Sequence, residues 1–118
     1  MIRTWIARFQ SPASGSKRVL IYGAGDGGEL LLRELMNNRD LGLHPVGFVD
    51  DDPQKLGRVI HGVRVLGSLD RLGELAGTES IEEVVISTTK LAADRSTQVA
   101  QLCAAAGVSC RRMRIALE

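Results

Sequence analysis

The chain of 118 residues reads as one α/β domain built on a doubly wound parallel sheet. Three observations lead there. Short apolar runs alternate with helix-like segments, the pattern of a parallel sheet covered on both faces. Glycines 23, 25 and 28 fall as G-x-G-x-x-G between the first run and the first helical pattern. An aspartate, Asp50, closes the second run.

Residues 1–16 form a separate segment. Ile2, Trp5, Ile6 and Phe9 recur at the spacing of one helix face, with Arg3 and Arg8 and no acid among them. SPASGS (11–16) is a linker composition. No secretory h-region is present. The helix suits either an interfacial seat on a membrane or docking on its own domain or a partner subunit, and the sequence leaves both open. From residue 17 to 118 the chain is the binding domain proper. RVLIYG (18–23) is the first, buried strand, and ELLLRELMNN (29–38) the first helix, with Leu31, Leu32 and Leu35 on one face. HPVGFVD (44–50) is the second strand. Residues 51–67 are too short and interrupted for a crossover helix; they read as a loop, a small hairpin turning at His61-Gly62, and a third strand at 63–66. Ser68 is placed to cap the short helix LDRLGELA. EEVVIST (82–88) is the fourth strand, a helix spans Leu91 to Ala106, and VSCRRM (108–113) is the fifth. Right-handed crossovers then give the Rossmann-like strand order 3-2-1-4-5.

Composition excludes several functions. A net charge of +1 offers no general attraction to nucleic acid, and no apolar run approaches the roughly 20 residues of a membrane span. Cys103 and Cys110 match no common zinc spacing and read as reduced thiols in or near a core, which fits a reducing cytoplasm. His44 and His61 read as solvated loop histidines without a partner. No nucleophile–base pair or metal cluster is evident.

The loop Gly23, Ala24, Gly25, Asp26, Gly27, Gly28 is the candidate binding site. Gly23 permits the tight turn, Gly25 lets a pyrophosphate approach the backbone, and Gly28 lets helix and strand pack closely. The helix N-terminus offers N–H groups and partial positive charge to an anion. Asp50, 22 residues after Gly28, is placed to accept from both hydroxyls of an adenosine ribose. Asp51 and Asp52 extend the acidic edge, favouring NAD(H) over NADP(H). Asp26 and Glu29 in the first turn compete for the helix dipole. Ser87, Thr88 and Thr89, after a strand expected to adjoin the first, face the glycine loop and suit either phosphate or ribose binding or helix capping. The alternative to a nucleotide site is a compact turn in a scaffold or oligomerisation domain.

RVLIYGAGDGGELLLREL, PVGFVDDDPQKLGRVIHGVRVLGSLDRL and EEVVIS together resemble the N-terminal nucleotide-binding domain of membrane-anchored nucleotide-sugar 4,6-dehydratases, polysaccharide-biosynthesis proteins of capsule and lipopolysaccharide synthesis. A similar domain occurs in polyprenyl-phosphate sugar phosphotransferases. The resemblance implies a non-catalytic nucleotide-binding module. Its partners would be a catalytic domain and transmembrane helices of a longer parent, at the cytoplasmic face of the membrane, with homo-oligomerisation as a further expectation. Residues 1–16 would be the juxtamembrane connection, and the chain an excised piece. The glycine loop also resembles the N-terminal domain of sugar acetyltransferases. The expected ligand is therefore NAD(H), with a UDP-sugar or coenzyme A as alternatives. A small self-contained oxidoreductase is the competing function. Where relatives often carry a proline after the fourth strand, this chain has Thr88-Thr89.

Overall fold

The computed structural model describes residues 16–87 and 93–113. In chain order its strands are β1 (Lys17–Tyr22), β2 (Leu43–Val49), β3 (Val59–Ile60), β4 (Val63–Gly67), β5 (Glu83–Ser87) and β6 (Ser109–Met113). The helices are α1 (Asp26–Asn37), α2 (Leu72–Thr78) and α3 (Ala93–Ala106). Consecutive residues Val19, Leu20 and Ile21 of β1 are all fully buried, which requires cover on both faces of the sheet.

The parallel strands lie in the order β4-β2-β1-β5-β6, the expected 3-2-1-4-5. The sheet has six strands rather than five. The extra one, β3, pairs antiparallel with β4 at the edge. Its two residues are joined to β4 by His61-Gly62, with φ of 49° and 85°, the backbone of a tight hairpin turn. A two-residue strand has no periodicity to read, so the turn was legible and the strand was not.

α1 starts three residues before the expected Glu29, at Asp26. It lays Leu31, Leu32 and Leu35 on Val19, Ile21, Phe48, Val65 and Val85. On the opposite face Leu20, Val84 and Ile86 meet Leu72 and Leu75 of α2, Val99 and Cys103 of α3, and Leu69. Full burial of each large apolar side chain contributes about 1.5–3 kcal/mol. The β2-to-β4 connection holds a single 3-10 turn, Pro53–Lys55, and the hairpin. The expected helix at 69–76 is a 3-10 turn, Leu69–Arg71, leading into α2. Ser68 occupies its N-cap position without a side-chain hydrogen bond, contrary to expectation.

Glu83 is the buried charged residue of the described core, 3% exposed. Arg111 Nε of β6 donates to its Oε2 at 3.0 Å, and Lys17 Nζ of β1 lies 3.7 Å from Oε1. Of the cysteines, Cys103 is buried and Cys110 exposed on β6, so only Cys103 is a core thiol; burial pushes it up to about 12. His44 lies half-buried within β2 rather than in a loop. The expected amphipathic helix over residues 2–9, and Thr88, Thr89 and Leu91, lie outside the described residues.

Candidate functional site

The chain leaves β1 through Gly23 at φ +99°, a conformation L side chains rarely adopt, and the Gly23 N–H donates to Val49 O at 2.7 Å. Gly28 then passes directly over that turn. A Cβ built on Gly28 would sit 1.8 Å from Gly23 O and 2.9 Å from its carbonyl carbon. The first turn of α1 can therefore begin against the strand exit only because residue 28 has no side chain. Gly25 is the N-cap, extended and exposed, so no side chain caps the helix. Ala24 is buried, Gly27 half-buried, and Asp26 exposed. Asp26 and Glu29 stand in the first turn as expected.

Asp50 comes to this loop, but as a tether. Its Oδ2 accepts from Ala24 N–H at 2.7 Å and its Oδ1 from Asp52 N–H at 2.8 Å. Both oxygens are engaged, and each keeps a further lone-pair direction. Asp52 accepts in turn from Gln54 N–H at 2.9 Å, with Pro53 opening the 3-10 turn behind it. That turn swings Lys55 back over the loop. Lys55 Nζ lies 3.7 Å from Asp50 Oδ2 and 3.6 Å from the Cβ position of Gly25. A cation thus flanks the exposed glycine where an anion would approach.

Asp51 points elsewhere. Tyr22 O–H donates to its Oδ2 at 2.6 Å, Arg95 of α3 donates to the same oxygen, and Arg95 Nε donates to the Tyr22 hydroxyl at 2.9 Å. The Arg95 guanidinium also stacks 5.6 Å from the Tyr22 ring centre. Burial pushes the Asp51 carboxyl up, but the hydrogen bonds from Tyr22 and Arg95 and the Arg95 charge outweigh it and hold it below its ordinary value. Burial, with Asp51 beside it, raises the Tyr22 hydroxyl.

Between the ends of β2 and β4 and Arg95 lies a cleft of about 660 Å³. Its walls include Asp50–Pro53, Leu56, Gly67, Ser68, Asp70 and Arg71. Arg71 forks onto Glu74 at 2.9 and 3.1 Å and donates to Leu66 O at 3.0 Å. Leu56, 61% exposed, supplies apolar wall. Ser87 ends β5, which pairs with β1 as expected. His61 has a partner after all: its Nε2 lies 2.8 Å from Glu29 Oε2, joining the hairpin tip to the first turn of α1.

Lys55, Tyr22, Arg71 and Arg95 are the site residues that sequence reasoning missed. The nearest available signal was Asp-Pro at 52–53, which announces the turn that returns Lys55. No group of three potential metal ligands occurs among the described residues. No helix among them is long and apolar enough to cross a membrane.

Over 112 residues the chain is 31% identical to the capsular polysaccharide biosynthesis protein CapD of Staphylococcus aureus, covering 94% of this chain and 19% of that protein. It is 32% identical over 98 residues to the probable polysaccharide biosynthesis protein EpsC of Bacillus subtilis (strain 168), covering 83% and 16%. The chain thus spans less than a fifth of the length of these relatives, which have the kinship the motifs led us to expect. UDP-D-quinovosamine 4-dehydrogenase from Vibrio fischeri superposes with a TM-score of 0.73 at 25% identity, over 85% of this chain and 80% of that one. RSP, a Rex-family repressor, in complex with β-NADH superposes at 0.67 and 19% identity, over 87% and 48%, a likeness of fold. The sequence pattern of the CoA-binding domain matches residues 1–114, and the chain is a member of that family.

Proposed function

We propose that this chain is a non-catalytic nucleotide-binding domain of a polysaccharide-biosynthesis protein, and that its ligand is NAD(H). The observation that carries the reading is the uncapped helix start at exposed Gly25 with Lys55 Nζ beside it. Backbone N–H groups, the helix dipole and an ammonium converge where a diphosphate would sit. The nucleoside would then lie in the adjacent cleft, against Pro53 and Leu56.

NAD(H), coenzyme A and UDP-sugars all present a diphosphate, so the nucleoside end must discriminate. Four carboxylates line the cleft, Asp50, Asp51, Asp52 and Asp70, while its two arginines are already ion-paired. Such a wall favours an unphosphorylated ribose, which NAD(H) has and coenzyme A and NADP(H) lack. The RSP complex with β-NADH supports this choice; the family's description favours coenzyme A. A UDP-sugar is the second reading, favoured by the likeness to UDP-D-quinovosamine 4-dehydrogenase.

Catalysis is assigned to the rest of a parent protein, a nucleotide-sugar 4,6-dehydratase at the inner face of the membrane, with residues 1–16 as the connection. Dehydration needs a hydride acceptor with a positioned acid and base. The tyrosine hydroxyl beside the glycine loop is instead bound between Asp51 and Arg95.

Titration calorimetry with NADH, NADPH, coenzyme A and a UDP-sugar tests the reading, with NADH expected to bind tightest. A UDP-sugar bound while every adenine ligand is ignored would move the assignment to the second reading. Measurable 4,6-dehydration of a UDP- or dTDP-sugar by this chain with NAD supplied would overturn the non-catalytic role.

A further inference from the structure

We propose that Asp51 masks Arg95, and that this ion pair sets the cleft against adenosine ligands whose ribose carries a phosphate. The inference rests on the nucleotide reading and assigns its specificity to named side chains.

A guanidinium facing a nucleoside cleft is the natural partner for a ribose phosphate, because its planar fork matches phosphate oxygens. This cleft contains such a group in Arg95, and the fold has occupied it. Arg95 donates to Asp51 Oδ2, to the Tyr22 hydroxyl at 2.9 Å and to Gln98 Oε1 at 2.8 Å. Tyr22 closes the ring by donating to the same Asp51 oxygen at 2.6 Å. The three members come from the end of β1, the loop just after β2 and the start of α3, so three separate segments fix the arrangement.

The pair is nevertheless open to competition, since the Asp51 and Arg95 side chains are 44% and 31% exposed. An incoming phosphomonoester would have to take Arg95 from Asp51. The released carboxylate would then stand beside the phosphate, and like charges at such range repel. While Asp51 is charged, the phosphate therefore meets a neutralised pair; with Asp51 uncharged it meets a guanidinium whose charge that carboxylate no longer offsets. Asp51→Asn keeps the shape and an acceptor for Tyr22 while removing the charge.

The test compares two matched ligand pairs by calorimetry. NADH and NADPH differ only by a 2′-phosphate, and dephospho-coenzyme A and coenzyme A only by a 3′-phosphate. In wild type the phosphorylated member should bind more weakly by about tenfold or more, a factor equivalent to about 1.4 kcal/mol. Asp51→Asn should shrink or invert that ratio by about tenfold, the scale of a gained charge-assisted contact. Whichever pair responds identifies the ribose position that Arg95 reaches. Asp51→Asn/Arg95→Gln should restore the wild-type ratio. If the gain persists without Arg95, simple charge removal explains it and the masking is overturned. Tyr22→Phe, which loosens the ring without changing any charge at neutral pH, should give an intermediate ratio and keeps the test alive if the double variant does not fold. An unchanged ratio in both Asp51→Asn and Tyr22→Phe overturns this inference alone. Failure of all four ligands to bind wild type overturns the adenine-nucleotide reading beneath it, and this inference with it.

Discussion

Replacing Gly28 and Gly25 by alanine is the same chemical change three residues apart, and the structure predicts opposite consequences. At Gly28 the new methyl would lie 1.8 Å from the carbonyl oxygen of Gly23. Non-bonded carbon and oxygen need more than 3 Å, so the loop or the helix start must move by over an ångström. The obstructing atoms are backbone, and Gly23 is itself held by its bond to Val49 O. Overpacking of this kind costs about 1–3 kcal/mol or more, against which alanine recovers about 0.8–1 kcal/mol of helix propensity. A contact of 1.8 Å with backbone calls for the upper end of that cost, so the net expectation is a loss of about 2 kcal/mol, or roughly 8 °C in Tm for a domain of this size. At Gly25, with φ −94°, the methyl meets only the flexible Lys55 Nζ at 3.6 Å. The unfolded-state gain of about 0.4–1 kcal/mol from removing a glycine and the poorer N-cap nearly cancel. Gly25→Ala should therefore unfold like wild type yet bind NADH less well, since the methyl projects toward the diphosphate position. Thermal unfolding followed by circular dichroism, paired with NADH titration, reads both effects. The reasoning fails if Gly28→Ala unfolds within about 0.5 kcal/mol of wild type, because the close approach would then not constrain the loop.

Lys55→Gln should weaken NADH binding severalfold and flatten its salt dependence, with little change in unfolding because its pair with Asp50 is partly exposed; unchanged affinity would remove Lys55 from the site. Asp50→Ala should lower stability and NADH affinity together, each by about 1–3 kcal/mol, since it frees the Ala24 and Asp52 N–H groups at once; a change in affinity alone would mean Asp50 acts on the ribose and not on the loop. The depressed Asp51 carboxyl binds protons less readily folded than unfolded, so its stabilisation is complete above its unfolded value and fades as pH falls through the lower folded one. The stability gap between wild type and Asp51→Asn should accordingly narrow below about pH 4, and urea titrations from pH 7 to pH 3 would show a constant gap if the Tyr22–Arg95 ring does not hold that charge. Iodoacetamide should alkylate Cys110 in the native protein and Cys103 only after denaturation, as burial and a thiol raised to about 12 require; prompt double labelling in mass spectra would contradict the core placement.

The loop and the strand order were readable because they are written locally. Gly23 and Gly28 mark a turn that a side chain would strain, the first through its backbone and the second through a close contact, and alternating apolar runs and helices allow few topologies. Asp50 was correctly located and differently used: its position follows from ending β2, whereas its bonds to Ala24 and Asp52 depend on how two turns meet. Lys55 and Arg95 were invisible for the same reason. Lys55 reaches Gly25 through an irregular turn, and Arg95 reaches Asp51 across 44 residues of sequence. Single charged side chains, whether on a turn or on an exposed helix position, carry no periodicity, so only the assembled fold reveals their partners. Asp51 shows the consequence most plainly, since a residue read as part of an acidic edge is neutralised by an arginine on another element.

The carboxylate of Glu83 joins the first strand of the described domain to the last, through Lys17 on one side and Arg111 on the other. That makes the domain hard to shorten. A version trimmed before residue 111 would lose more than an edge strand, because it would strand a buried negative charge with only a lysine 3.7 Å away to compensate it. Folding from the N-terminus would meet the same condition during synthesis: β5 cannot settle its glutamate comfortably until β6 has emerged. The smallest autonomous unit therefore extends through at least Arg111, and a C-terminal boundary drawn from the nucleotide loop alone would cut too early.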